Sequence, residues 1–499
     1  MRGWGPLTAV CLGTFMLLLD VTIVVVALPD MARSLHTSLS DLQWVVDGYA
    51  LALAALLLGA GAAADVLGRR RLHVAGTAVF AVASLLCGLA PGPGPLVAAR
   101  ALQGVGAAAM LATTLPLLGS VYRDRRRSVA LGVWGAVSGG AAAVGPVVGG
   151  LLTEGPGWRW IFFVNLPVSV AAIWLTARVV PESHGAPGLR VDRPGTLAFA
   201  VFAGGTTFAV VRAGEDGWAA AATLVSFAVA ALALLAFVLV ERRARHPLLD
   251  LRLLRRPAFV GVLAGALAFN GVAFGVTPYV SIWMQTLRGA SPVGGGLALL
   301  PMTGASVVVA IAGGRFLHGA PARLTIGGGL LLISAGCFCQ TVLDAGSGWT
   351  ALVPGLVLVG LGTGLVAPAV AGAALATVTP ERAGMAGGAV NTARQLGYAL
   401  AVAVSGTVLS GRMQDTLPHD AAHTLAGGGA AALRGTFPRH TLDAAFTAGL
   451  DRALLVTGLA GTVAAVLVLV LVRTARRDGP GPEPVPARPL PEGSAAPGR

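Results

Sequence analysis

The sequence predicts an all-α, polytopic membrane protein of about fourteen transmembrane helices, and three observations carry that prediction. Of its 499 residues, 55% are hydrophobic and only 11% are charged, against about 25% charged residues in a soluble globular chain. The mean hydropathy is +0.77. The apolar residues fall in continuous runs of roughly 20, the length a helix needs to cross the hydrocarbon core, and not in the short alternating segments of a transmembrane β-barrel.

In chain order, spans are expected near 7–28, 44–64, 72–90, 96–118, 128–152, 159–180 and 195–213. Others follow near 219–240, 258–283, 295–317, 324–343, 350–374, 386–410 and 452–472. The first run is long enough to span and shows no clear cleavage site, so it reads as a helix and not as a signal peptide. Residues 411–449, with Gly427 to Gly429, read as a long outer loop, and the Pro/Gly-rich stretch 478–499 as a disordered cytoplasmic tail.

All 35 basic residues are arginine, and the formal net charge is +13. They cluster in the connections after even-numbered spans: Arg69 to Arg71, then Arg123 with Arg125 to Arg127, then Arg242, Arg243, Arg245, Arg252, Arg255 and Arg256. The connection PGPGP between spans three and four carries no charge. The positive-inside rule makes the arginine-rich connections cytoplasmic, and an even number of spans then places both termini there. The 4 cysteines, Cys11, Cys87, Cys337 and Cys339, lie in apolar segments, which argues for packing and against a disulfide framework or zinc site.

Six runs, in order, resemble the fourteen-span drug:proton antiporters of the major facilitator superfamily. They are LDVTIVVVALP from Leu19, GAAADVLGRRR from Gly61, RALQGVGAA from Arg100, GPVVGG from Gly145, WRWIFFVNLP from Trp158 and NTARQLG from Asn391. Three positions depart: Val25 stands where that branch usually has Asn, Ala63 where it has Leu, and Val66 where it has a basic residue. The resemblance implies two six-helix bundles, residues 1–180 and 257–474, with two helices in 195–240 inserted between them. Substrate would bind near the midplane and leave by rocking of the bundles. An internal echo fits this, since GGRFLHGAPAR from Gly313 takes the place in the second half of GAAADVLGRRR in the first.

Asp20 sits in the first apolar run, about thirteen residues or roughly 20 Å from its cytoplasmic end. A carboxylate at that depth costs at least ~2.5 kcal/mol, so such groups face the bundle interior and serve ion or proton pathways. Asp47 and Arg100 lie about a turn inside the outer ends of their spans; Asp47 could be a second proton site or meet a cationic substrate. Arg100 shares a helix face with Gln103 and Gly104, and a fixed cation near Asp20 would tune it. In the family this arginine is associated with proton transfer, so the expected proton-coupling set is Asp20, Asp47 and Arg100. Gly145 and Gly149, with Ala141, form a small-residue stripe on which a helix can pack closely, and Pro146 permits a bend; the resemblance makes this the antiporter motif. Asp65, pairing with Arg69 or meeting a helix N-terminus, and Arg70 on the lipid headgroups would bias the rocking equilibrium.

Gln103, Asn165, Asn270, Gln285 and Asn391 are polar groups at membrane depth that could line a substrate cavity, although hydrogen bonds between helices explain most such residues. Arg394, on the span of Asn391, needs a partner that the sequence does not name. The chain has no HExxH, no GxSxG with a suitable histidine, no Walker loop and no zinc-type cluster, so no enzyme is expected. No cofactor is expected either, the driving force being a proton gradient. The expectation is a monomeric, multi-pass antiporter in a bacterial cytoplasmic membrane, exporting hydrophobic or cationic drugs or antibiotics, with protons, lipid and an amphipathic small molecule as partners and no nucleic acid. The alternatives are a proton-coupled permease for a metabolite and a non-transporting membrane scaffold.

Overall fold

A chain in lipid must satisfy its own backbone hydrogen bonds, which leaves the apolar runs little choice but helix. The computed structural model describes residues 3–35, 39–185, 191–244, 247–316, 320–344, 346–379 and 382–472. The side chains of Val25, Pro146 and Arg315, among others within helices, lie outside the described set, as do the tail 478–499 and part of the GGRFLHGAPAR segment.

The first helices are α1 (Gly5–Ser34), α2 (Leu39–Leu67), α3 (Arg69–Gly88), α4 (Pro93–Val121) and α5 (Asp124–Glu154). A sixth crossing is split into α6 (Trp160–Phe163) and α7 (Asn165–Val179), because Pro167 has no N–H to offer the carbonyl one turn back. Next come α8 (Arg193–Asp216), whose first turn is capped by Asp192 accepting from the Gly195 N–H at 2.9 Å, and α9 (Ala221–Arg243). Then α10 (Pro257–Phe274), α11 (Thr277–Ile282) and a π turn, Trp283–Leu287, make one crossing. The remaining helices are α12 (Pro292–Ala298), α13 (Leu300–Phe316), α14 (Ala322–Cys339), α15 (Val353–Ala376), α16 (Ala383–Met413), α17 (His419–Ala426), α18 (Ala430–Leu433) and α19 (Arg439–Leu471).

Among the described residues, 12 segments are long and apolar enough to cross a membrane, where the sequence suggested about fourteen. The two outside that set are α5, whose side chains are described only in part, and α13, whose apolar stretch is the shorter Leu300–Gly313. α13 is parted from α12 at Leu299, ahead of Pro301.

Helix pairing repeats along the chain. In the first half α1 packs on α5 and α7, α2 and α3 pack on α4, and α3 packs on α7. In the second half α10 packs on α16 and α19, α13 and α14 pack on α15, and α14 packs on α19. With crossings numbered one to six in each half, these are the same five pairs. Across the seam the contacts are reciprocal too: α2 meets α16 and α5 meets α13, while α8 covers the line between α2 and α16. At the arginine-rich end the halves share a buried apolar cluster, in which Leu7, Leu118, Leu131 and Trp134 join Ala371, Leu375 and Ala383.

Residues 411–449 differ from the loop expected of them. They hold the end of α16, both short helices and the start of α19, and Leu417, Ala421, Ala422, Leu425, Ala430 and Leu442 belong to the core of the second half. The Gly-rich composition obscured a short amphipathic pattern. Arg434 and Arg439 fasten the segment further, each donating through Nη2 at 3.0 Å to the carbonyls of Thr286 and Leu287 at the end of the π turn.

α5 approaches α1 so closely that only glycine fits. A Cβ on Gly145 would overlap Thr22 Oγ1, and one on Gly149 would lie 2.9 Å from Ile23 Cγ1 and 3.0 Å from the Ile23 carbonyl oxygen. Gly140, on the same helix, faces open space. Gly145→Val should therefore destabilise the solubilised protein by about 1–3 kcal/mol, the usual cost of overpacking, while Gly140→Val should leave its thermal unfolding temperature near that of the parent. Equal unfolding temperatures for the two variants would contradict this packing.

Candidate functional site

Asp20 lies on α1 and is fully buried, with 0% exposure. Side chains from α4 and α7 converge on its carboxylate. Oδ2 accepts from Arg100 Nη1 at 2.6 Å, and Oδ1 accepts from Gln103 Nε2 at 2.9 Å and from Asn165 Nδ2 at 2.8 Å. Arg100 and Gln103 come from successive turns of α4, and Asn165 is the first residue of α7, aimed inward by the break before it. Around the carboxylate the donors are themselves tied down. Arg100 Nη1 also donates to Gln103 Oε1 at 2.7 Å, Arg100 Nε donates to the Val45 carbonyl of α2 at 2.9 Å, and Gln103 Nε2 donates to Ser84 Oγ of α3 at 2.8 Å. The Arg100 Cζ stands 4.4 Å from the centre of the Tyr49 ring and 5.9 Å from that of Phe162, a cation–π arrangement that supports the charge where water cannot. Arg100 is 1% exposed, and α4 begins seven residues earlier at Pro93, so it belongs to the bundle interior and not to the rim its sequence position suggested.

The expected residues thus separate. Asp20 and Arg100 are brought together, and Gln103 and Asn165, expected in a substrate cavity, are hydrogen-bonded to the same carboxylate. Asp47 is half-buried on α2 and is not among the groups bonded to Asp20. Asn270 of α10 accepts through Oδ1 from Arg394 Nε at 3.1 Å, which supplies the partner that the sequence left unnamed. Asn391 Nδ2 donates to the Leu111 carbonyl of α4 at 3.1 Å, across the seam, and Gln285 Nε2 donates to Ser281 Oγ within its own helix at 2.9 Å. Ser84 and Tyr49 were missed by sequence reasoning; an isolated serine or tyrosine in an apolar run carries no signal of its own.

A second set of polar contacts lies at the arginine-rich end. Asp65 Oδ1 accepts from Arg69 Nε at 3.0 Å and Nη2 at 2.8 Å, while Oδ2 accepts from the Met385 backbone N–H at 3.3 Å. Met385 is in the first turn of α16, so a carboxylate of the first half caps a helix of the second, where the helix dipole favours negative charge. Arg70 and Arg71 give their backbone N–H groups to the two oxygens of Glu182, at 3.0 and 3.2 Å. The turn that permits this runs through Gly68 at φ 104°, a conformation favouring glycine. Nearby, burial alone would raise the Asp250 carboxyl, but the hydrogen bond and charge of Arg382 outweigh it and hold Asp250 below the ordinary carboxylate range. Gly145 and Gly149 adjoin Thr22 and Ile23, within a turn of Asp20, and the side chain of Pro146 lies outside the described residues. Among the described residues no group of three or more His, Cys, Asp or Glu could hold a metal ion.

Residues 10–402 match the Major Facilitator Superfamily. The chain is similar to the puromycin resistance protein pur8 of Streptomyces alboniger, at 38% identity over 98% of this chain and 95% of that one. It is 34% identical to the tetracenomycin C resistance and export protein of Streptomyces glaucescens, over 97% and 95%. It is 36% identical to the multidrug resistance protein Stp of Mycobacterium tuberculosis, over 83% and 77%. The crystal structure of the human organic anion transporter MFSD10 shares the fold, with a TM-score of 0.63 over 93% of this chain and 99% of that one, at 14% identity. The chain therefore belongs to the Major Facilitator Superfamily of membrane transporters.

Proposed function

We propose that this transporter is a proton-driven antiporter that exports an amphipathic drug or antibiotic across a bacterial cytoplasmic membrane by alternating access, and that Asp20 is its proton site. The observation that carries the reading is the carboxylate of Asp20, buried in a membrane-spanning helix and answered by Arg100, Gln103 and Asn165. The resistance and export activities for which its relatives are named support the cargo class.

All three side chains bonded to the Asp20 carboxylate are donors, and one of them, Arg100, carries a positive charge. A proton on either oxygen removes the charge that Arg100 neutralises and turns one acceptor into a donor, which then needs an acceptor among groups that now donate. Arg100 then keeps the Val45 carbonyl and the Tyr49 ring but loses its counter-ion, so the arrangement of α1, α3, α4 and α7 that is best for ionised Asp20 is not best for protonated Asp20. Because Gly145 and Gly149 seat α5 on the next turn of α1, a shift there reaches the contact of α5 with α13 in the other half. The Asp65 cap on α16 belongs to the conformation closed at the arginine-rich end, and its loss would favour opening there.

The same reading takes α5 and α12–α13 as membrane crossings, giving fourteen spans: two six-helix bundles, α8 and α9 inserted between them, and both chain ends cytoplasmic. Alkaline phosphatase inserted in the uncharged connection 91–94 should then be active and the same enzyme fused after residue 472 inactive. Active enzyme at both positions would refute the topology.

Asp20→Asn keeps the side-chain shape and removes the titratable group. In proteoliposomes it should abolish uphill drug movement driven by an imposed pH gradient, by at least tenfold, with downhill drug exchange retained; persistence of uphill movement would show that the proton site lies elsewhere. Asp65→Asn weakens a helix cap worth about 0.5–2 kcal/mol, whose full loss would move a two-state equilibrium by about two- to thirtyfold. Spin labels at Arg71 and Thr379 should report a longer-distance population in that variant, and an unchanged distance distribution would remove Asp65 from the gating role.

A further inference from the structure

We propose that Arg394 and Asn270 form an anion-recognising subsite between the two halves, and that the exported compound presents an acidic group, such as a carboxylate, on an aromatic or otherwise apolar frame. The proposal rests on the export reading above and narrows its cargo.

Two arginines on membrane-spanning helices, the buried Arg100 and the half-buried Arg394, are treated differently. Arg100 is neutralised by Asp20. Arg394 has no carboxylate partner among the described residues; its Nε donates to Asn270 Oδ1 at 3.1 Å, and neither Nη has a polar protein partner there. Its guanidinium is held between aromatic rings instead, with Cζ 5.3 Å from the centre of Phe269 and 5.9 Å from that of Trp134. Phe269 belongs to α10 in the second half and Trp134 to α5 in the first, so the cation stands at the seam. Its position along the seam is fixed from two directions. One turn earlier on α16, Asn391 fastens that helix to the Leu111 carbonyl of α4. Trp134 in turn donates through Nε1 to Thr14 Oγ1 at 3.1 Å, six residues or roughly 9 Å along α1 from Asp20.

A guanidinium at membrane depth without a counter-ion is unfavourable, and aromatic faces and one amide compensate only in part. Arg394 is only half-buried, and neither Nη is among the fully enclosed side-chain atoms without a partner, so the Nη pair is open to an incoming group. The two parallel N–H groups match a carboxylate in bidentate geometry. Asn270 fixes the fork through Nε, the enclosed rings of Trp134 and Phe269 flank the guanidinium, and half-buried Tyr398, one turn along α16, adds an aromatic side chain on the same helix. Export of a monoanion against entry of one proton carries two charges in the same electrical direction, so a membrane potential negative inside would drive both.

The test uses the purified full-length protein in nanodiscs with no gradient, so it does not depend on coupling. Binding of radiolabelled 1-naphthoate is compared with that of its neutral methyl ester and of 1-naphthylmethylammonium, with empty nanodiscs subtracted. Naphthoate should bind at least tenfold more tightly than either analogue. Arg394→Gln should erase the preference, and Arg394→Lys should retain part of it, because lysine keeps the charge and loses the fork. The subsite is overturned if naphthoate fails to bind or the wild-type protein shows no preference for it. It is equally overturned if Arg394→Gln, eluting as a single species, keeps the preference, or if inorganic phosphate displaces naphthoate at equal concentration. Absence of gradient-driven transport by the wild-type protein would instead overturn the export reading and leave the binding preference standing.

Discussion

The ion pair between Asp20 and Arg100 is the constraint on which the first half of the molecule depends. Moving either ion out of water costs several kcal/mol, and the pair recovers this only if every remaining donor and acceptor is answered. Here the answers come from Gln103, Asn165, Ser84 and the Val45 carbonyl, each on a different turn or helix. α1, α2, α3, α4 and α7 must therefore meet at one point in one register. A neutral core could be assembled in several near-equivalent ways; this one cannot. The same property makes the site responsive, because a single proton changes which hydrogen bonds can be made and so which register is best.

Such a response is useful only if it reaches the other half. Two features of the packing make the connection short. α5 lies on α1 at glycine distance, at Thr22 and Ile23, and then runs against α13 across the seam. α2, which lends Val45 to Arg100 and carries Asp65 at its far end, runs against α16. The reciprocal contacts of second and fifth helices thus leave from the neighbourhood of one carboxylate, and rigid helices can carry a small change at Asp20 to the Asp65 cap without any mobile segment between them.

How much of this was legible in the sequence depends on how local each signal is. Asp20 stood out because a charge in an apolar run is costly wherever it occurs, and hydropathy alone sets the helical class. Arg100 was visible but placed too near the surface, since a helix end judged from hydropathy misses the Pro/Gly turn at Pro93 by which α4 begins about two turns before Arg100. Gln103 and Asn165 were recognised as polar groups at depth, yet nothing local shows that their amides are used by Asp20 and not by a ligand. Ser84, Tyr49 and Glu182 gave no signal, because their roles arise from helices far apart in the chain. Residues 411–449 were misjudged for the opposite reason: abundant glycine concealed the spacing of Ala421, Ala422 and Leu425 that buries one face of α17.

The contrast between two arginines extends the logic of the ion pair to the cargo. Where the protein supplies both charges itself, as with Asp20 and Arg100, it encloses them completely. Arg394 is held by an amide and two rings and remains half-buried at the seam. A permanent carboxylate at that point would stabilise the protein further, but it would also occupy the guanidinium in every conformation, and an exporter must release what it binds. Leaving the second charge to the cargo lets the same desolvation cost that fixes Asp20 in place discriminate between compounds: a neutral analogue gains only contact with the rings, while an acidic one also relieves an unpaired cation. The energetic asymmetry of a charge in a low-dielectric seam thus serves structure at one arginine and selection at the other.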